Sequence, residues 1–151
     1  MRETGDFLSG IEKYFGEMKL RPEQYSALGL AYIGDDVYDL IIRTIVLELG
    51  NGKVKNFHKI TSSVVKAESQ AKLAGEILEL LTEKELAVYH RGRNAKSATS
   101  AKNASIIDYR VATGLEALMG YLYLCHDMER LLFLVRTGLE RTGQLPKKLG
   151  G

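Results

Sequence analysis

No proline stands between Pro22 and Pro146, and across that span apolar residues return every three or four positions. Proline removes a backbone donor and breaks helix interiors, so its absence leaves a long middle free to be helical. The spacing agrees: Leu28, Ala31 and Tyr32, then Val37, Leu40, Ile41 and Ile45, follow a 3.6-residue repeat. Strict alternation never persists and no hairpin turn separates two β-rich runs, so no strands are expected. The fold class read from this pattern is all-α. At 151 residues the chain is long enough for one domain with its own core.

Punctuation divides the helices. Residues 6–18 (DFLSGIEKYFGEM) predict a short first helix with Phe7, Leu8, Ile11, Tyr14 and Phe15 on one side. Pro22 reads as the first turn of a second helix, which the Gly50–Asn51–Gly52 cluster ends. A third is expected over Lys55–Leu81, bent at Gly75. Thr82–Glu83–Lys84–Glu85 resembles a capping box opening a short helix to about Arg91. The small, polar and basic run Gly92–Ser105 (GRNAKSATSAKNAS) predicts an exposed, mobile loop. Helices over Ile107–Leu124 and Met128–Thr142 follow, with a break at His126–Asp127. The organisation expected is an N-terminal segment over 1–20, a domain over 21–143 and a flexible tail over 144–151.

Several function classes are excluded or weakened at this level. No apolar run reaches the eighteen residues of a membrane span. MRETGDFLSG carries charges where a secretory signal needs an apolar core, which places the protein in the cytoplasm. Cys125 is alone, so no intrachain disulfide partner and no thiolate zinc site are expected; its setting in YLYLCHD fits a small buried hydrophobe. There is no GxxxxGK[ST], GxGxxG, GxSxG or HExxH, and His58, His90 and His126 receive no role.

What stands out is acid where a helix should be apolar. Asp35, Asp36 and Asp39 lie in ALGLAYIGDDVYDLII (Ala27–Ile42) with no Lys, Arg or His among them. Glu116 is the only charged residue in VATGLEALMGYLYLC. An unpartnered buried carboxylate costs several kcal/mol, so each acid needs a cation, a proton or water. Asp35 and Asp39 share one helical face at i, i+4, whereas Asp36 points about 100° away. Thr113 and Gly120 flank Glu116 on its own face, a small strip that lets another helix come close. Asp35 meeting Glu116 would offer two oxygen donors to a hard cation such as magnesium. On pattern alone, a lone acid in an apolar helix is more often exposed or hydrogen-bonded than metal-bound.

The net charge of +2 is unevenly spread. Leu86–Ile107 has no acid but holds His90, Arg91, Arg93, Lys96 and Lys102; Asn51–Ala67 is also acid-free, with Lys53, Lys55, His58, Lys59 and Lys66. Basic blocks are often only solvated surface. Beside an uncompensated acidic cluster they favour a polyanionic substrate.

Three blocks in order, ALGLAYIGDDVYDLIIR (Ala27–Arg43), RGRNAKSATSAKNA (Arg91–Ala104) and YRVATGLEALMGYLYL (Tyr109–Leu124), resemble the Mini-ribonuclease III branch of the ribonuclease III family. The resemblance runs from about Ser26 to Gly143. It implies an all-helical ribonuclease III catalytic domain acting as a homodimer, with magnesium-dependent cleavage of double-stranded RNA and manganese as a substitute ion. By the same resemblance the substrate is precursor 23S ribosomal RNA, and the products carry a 5′-phosphate and a 3′-hydroxyl. Asp35 matches the aspartate of the family's G-D-A-V motif and Glu116 its second metal-binding acid, so both are expected to be catalytic and metal-binding. Arg91, Arg93, Lys96 and Lys102 are then candidates for phosphate contacts, with Asn94 and Asn103 as donors to sugar or phosphate.

The sequence also departs from the family. Ala31 and Thr113 stand where full-length ribonucleases III usually carry two further acids, a thinning shared with the Mini branch. Asp36 replaces a small residue. Val65–Ala71 (VKAESQA) alters the charge of a family stretch whose place is not assigned by sequence. No double-stranded-RNA-binding domain is expected after residue 143. A non-catalytic ribonuclease III-like RNA-binding module is the alternative. An all-α magnesium pyrophosphohydrolase is a third reading, disfavoured because its dense paired acids are missing.

Overall fold

In a computed structural model, which describes residues 7–49, 52–95 and 105–147, the chain folds into seven α-helices, with no strand among the described residues. They are α1 (Phe7–Phe15), α2 (Ala27–Leu47), α3 (Val54–Val65), α4 (Ala67–Ile77), α5 (Glu83–Asn94), α6 (Ile106–Leu124) and α7 (Met128–Thr142). Short 3₁₀ turns occupy Pro22–Gln24 and Leu78–Leu80. The all-α expectation holds. No helix among the described residues is long and apolar enough to cross a membrane.

Helix α6 is the axis of the fold. It packs against α2, α4, α5 and α7, and it is buried without a break from Ala117 through Tyr123. Core side chains from the surrounding helices converge on it: Leu30, Tyr38 and Ile42 from α2, Leu73 and Ile77 from α4, Val88 from α5, and Leu131, Leu134 and Leu139 from α7. A helix wrapped on so many sides must be apolar nearly all round. This is why Glu116 has so few charged neighbours in sequence.

Several boundaries differ from the sequence reading: α1 stops at Phe15, before Gly16 with its φ of 108°, rather than running to residue 18. Pro22 stays in the 3₁₀ turn, and α2 starts at Ala27, where Ser26 Oγ accepts from the Gly29 N–H at 3.0 Å. The hydroxyl, not the proline, satisfies an orphan donor of the first turn. The helix expected over Lys55–Leu81 is broken at Lys66 (φ −65°, ψ 156°), while Gly75 lies inside α4. Side chains take up carbonyls near the break: Ser69 Oγ donates to Ser63 O at 2.6 Å and Gln70 Nε2 to Val65 O at 2.8 Å. Such local bonds compete with helix and leave no mark on hydrophobic periodicity. Finally, α5 continues to Asn94, so Gly92, Arg93 and Asn94 belong to a helix rather than a loop. The rest of that expected loop, from 96 to 104, lies outside the described residues, as do Gly50 and Asn51.

Cys125 is exposed at the end of α6, not buried as expected. There the chain turns through His126, whose φ of 59° is left-handed, and Asp127 N–H reaches back to Leu122 O at 3.0 Å. This is a Schellman closure with histidine in the place glycine usually takes. The surrounding residues still desolvate part of the thiol, which pushes its pKa up, the opposite of an activated nucleophile.

The capping box at Thr82 forms as read, with Glu85 N–H to Thr82 Oγ1 at 3.2 Å and Thr82 N–H to Glu85 Oε1 at 2.9 Å. Glu85 also accepts from Arg130 Nε and Nη2 at 2.9 and 2.8 Å, and Arg130 Nη2 donates to Leu80 O at 2.7 Å. The pair ties the start of α5 to α7. The Arg130 hydrogen bonds hold the Glu85 carboxyl below its ordinary pKa, against the opposing effect of burial. A depressed folded-state pKa contributes stability above the unfolded value, and that stability is lost as pH falls through the folded value. Glu85→Ala should therefore cost about 3 kcal/mol at neutral pH, leaving Arg130 half-buried without its partner. The deficit in a urea melt should shrink below about pH 4, as the folded carboxyl takes up its proton. A constant deficit down to pH 2 would show that packing, not charge, sets the cost.

Candidate active site

Two glycines decide how the lone acids meet. A Cβ on Gly34 of α2 would run into the Glu116 carbonyl oxygen and come within 2.8 Å of Gly120 N; one on Gly120 of α6 would run into Leu30 O. The two helices thus cross backbone to backbone. Gly120 belongs to the small strip seen in the sequence, and Gly34, the residue before Asp35, is its counterpart. Thr113, the other member of that strip, faces α5 instead: its carbonyl lies 3.0 Å from where a Gly92 Cβ would be, and its hydroxyl bonds Tyr109 O at 2.9 Å.

This crossing sets Asp35 and Glu116 side by side, within hydrogen-bonding reach of each other. Asp35 is exposed and Glu116 is half-buried. Burial, and then the charge of Asp35, push the Glu116 pKa up to about 8, with Gln70 opposing the rise. Glu116 alone with water would keep a proton at neutral pH. A cation would take that proton's place.

Gln70 is the residue the sequence reading missed. It lies in the unassigned VKAESQA stretch, only 2% exposed, and its Nε2 donates both to Val65 O at 2.8 Å and to Glu116 Oε2 at 3.2 Å. Its Oε1 is buried with no partner among the protein atoms. The signal available in the sequence was weak: a glutamine on the apolar side of a helix, between Ala67, Ala71 and Leu73. The break at Lys66 is what brings it to α6.

The other two aspartates stand apart. Asp39 Oδ2 accepts from Arg43 Nε at 2.7 Å, so its cation is one helical turn away, just past the apolar run. Asp36 is exposed on the wall of an apolar groove of about 440 Å³ shared by α1 and α2, with Phe7, Ile11, Val37 and Leu40. Among the described residues no cluster of three or more acids, histidines or cysteines forms. The site is two carboxylates and an amide.

These residues fit a hard divalent cation. The donors are oxygens, the paired carboxylates repel one another without positive charge, and an orphaned buried acceptor sits on the amide that touches Glu116. Magnesium takes such sparse carboxylate sets and keeps several waters.

Of the expected RNA contacts, Arg91, Arg93 and Asn94 lie on the last turn of α5, around buried Gly92. A Gly92 Cβ would come within 2.7 Å of Ala117 Cβ, which places this turn directly on the segment of α6 that carries Glu116. Arg91 is partly committed: Nη1 and Nη2 donate to Glu23 O at 3.1 Å and Tyr25 O at 2.9 Å, pinning the 3₁₀ turn to α5. Burial raises the pKa of the Tyr89 phenol, and the nearby positive charge of Arg93 partly offsets that rise. Lys96, Lys102 and Asn103 lie outside the described residues.

Comparison with known proteins bears on this arrangement. Residues 28–127 match the family model described as the Ribonuclease III domain. The chain is 44% identical over 128 residues to a Mini-ribonuclease 3 of Enterococcus faecalis, covering 83% of this chain and 97% of that protein. It is 50% identical over 125 residues to a Mini-ribonuclease 3 of Clostridium tetani, covering 80% and 83%. Among solved structures, a crystal structure of a Fusobacterium nucleatum protein superposes with a TM-score of 0.73 at 27% identity, over 78% of this chain and 91% of that one.

Proposed function

The chain belongs to the ribonuclease III family and is an endoribonuclease, and on that premise we propose that it cuts double-stranded RNA at the Asp35–Glu116 pair with a divalent cation. The observation that carries this reading is the close crossing of α2 and α6, which places the two acids together where no side chain of opposite charge was visible in either helix run. Magnesium, with manganese as a substitute, would be held by Asp35 and Glu116 and would supply charge neutralisation at the phosphoryl oxygens and a more acidic water.

The chain's own residues do the rest. Asp35, the exposed acid of the pair, meets the phosphate backbone first. Glu116 gives up its proton as the site fills. Attack by water at phosphorus expels the 3′-oxygen, leaving a 3′-hydroxyl and a 5′-phosphate. Arg93 and Asn94 grip phosphate and sugar, as do Lys96, Lys102 and Asn103, while Arg91 holds the α5 turn that presents Arg93 and Asn94. A-form RNA hides its base edges in a deep major groove, so recognition is of shape, 2′-hydroxyls and phosphates.

A second copy of the chain would cover the apolar face of α1 and α2, where Phe7 is 71%, Tyr32 80% and Leu40 60% exposed. Two sites in such a homodimer would cut the two strands. Precursor 23S ribosomal RNA in the cytoplasm is the substrate carried over from the family likeness. Asp36 lines the groove shared by α1 and α2, which weakens one of the two grounds for the non-catalytic alternative; the other, the two family acids replaced by Ala31 and Thr113, stands.

The test is incubation of long duplex RNA with magnesium and either the protein or its Asp35→Asn variant. Cleavage by the protein alone supports the reading; cleavage by both removes Asp35 from the reaction. The basic turn has its own measurement. Arg93→Ala should weaken duplex binding across all sequences and lower the slope of log K against log salt by about one. An unchanged slope would make Arg93 only a partner of Tyr89.

A further inference from the structure

The amide beside the acid pair has a geometry that packing alone does not require. Gln70 Nε2 has two hydrogens, and both of its partners, Val65 O and Glu116 Oε2, are acceptors. That fixes which way the carboxamide faces: flipping it would set oxygen against oxygen at both contacts. Val65 O is the last carbonyl of α3 before the break at Lys66, so the amide is anchored to backbone on one side and holds a carboxylate oxygen on the other. With its nitrogen so committed, Oε1 is left buried and unpartnered, at 2% exposure of the residue. An orphaned buried acceptor is costly and rare unless a water or a ligand supplies the donor. We propose that Gln70 is a positioning residue of the nuclease site, holding the Glu116 carboxylate in the orientation that faces Asp35 and offering Oε1 to an O–H donor that enters with the hydrated cation.

This role rests on the Asp35–Glu116 reading of the site and deepens it. It also gives the break between α3 and α4 a purpose. An uninterrupted helix over Lys55–Leu81 would leave Val65 O bonded within the helix and unable to anchor the amide. Partners that orient metal-binding carboxylates typically change affinity or activity by 10–100-fold when lost.

Gln70→Met keeps the unbranched shape and volume but loses both donor and acceptor. The variant, the unaltered protein and Asp35→Asn would be compared by calorimetric titration with Mn²⁺ in the absence of RNA, by duplex binding in EDTA, and by cleavage over a magnesium series. The expected result is a Mn²⁺ affinity about 10–100-fold weaker for Gln70→Met, a magnesium requirement raised to match, and unchanged duplex binding in EDTA. If Gln70→Met binds Mn²⁺ and responds to magnesium like the unaltered protein, whatever its melting temperature, Gln70 only fills space and the inference is overturned. Should Gln70→Met not fold, Gln70→Asn keeps the amide but is one methylene too short to span both partners, and the same comparison applies to it. Failure of the unaltered protein itself to bind Mn²⁺ or to cleave would instead strike at the acid-pair reading.

Discussion

Glu116→Gln should abolish duplex cleavage while making the metal-free protein more stable at pH 8 than the unaltered chain. The two effects have one cause. Without a cation, burial and the neighbouring charge of Asp35 raise the Glu116 pKa to about 8. The unfolded carboxyl ionises near its ordinary 4.5, so between about 4.5 and 8 the folded state holds a proton the unfolded state has lost. Stability must then fall as pH rises through that window, because the unfolded state binds fewer protons. The substituted glutamine carries no charge and has no such slope, yet its amide is the size of the acid it replaces. A thermal melt in EDTA should show the variant gaining on the order of a few degrees at pH 8 and matching the unaltered chain near pH 4. Cleavage in saturating magnesium should drop at least about a thousandfold, equivalent to ~4 kcal/mol of barrier, since the charge that holds the cation is gone. A variant that is both less stable at pH 8 and active would overturn the assignment of Glu116. The same strain supports the proposed metal: a fold that pays to keep two carboxylates together is one that a cation would stabilise.

Much of this was legible in the sequence, for identifiable reasons. Helix content followed from spacing and from the lack of proline, and the lone acids of α2 and α6 could be picked out because charge in an apolar helix is conspicuous. The boundaries set by side-chain bonding were not legible. Lys66 has ordinary helix propensity, and only the bonds of Ser69 and Gln70 to α3 carbonyls mark the break. Glycine misled in both directions. Gly75 looked like a bend and is an open position within α4, whereas Gly92 looked like the start of a loop and is buried helix surface against α6. A glycine's role depends on what lies opposite it, which a single chain does not display. Gln70 was invisible for a related reason: an amide in an apolar face carries no charge to draw attention, and its partners are 5 and 46 residues away. Asp39 shows the converse, since its partner Arg43 lies one residue beyond the apolar run Ala27–Ile42.

Gly34→Ala should be the most damaging single methyl in the molecule, to stability and catalysis together. The added Cβ would occupy the place of the Glu116 carbonyl oxygen and crowd Gly120 N at 2.8 Å. Most overpacked side chains are relieved by a rotamer change, but here both obstacles are backbone, so α2 and α6 must move apart. Overpacking in a close-packed core costs about 1–3 kcal/mol and occasionally more; with no rotamer to yield, the upper end is expected. The same separation moves Asp35 away from Glu116, because the glycine and the aspartate are consecutive residues on one rigid helix. A displacement of about 1 Å in a reacting group costs on the order of a hundredfold in rate. Gly75→Ala is the matched control: nothing lies within 4 Å of its Cβ, and alanine in a helix interior should stabilise by about 0.5–1 kcal/mol. Urea melts and single-turnover cleavage of one duplex would be measured for both. If Gly34→Ala keeps its cleavage rate at a temperature where it is fully folded, the helix crossing does not set the distance between the acids, and the site must be held together by something other than these two glycines.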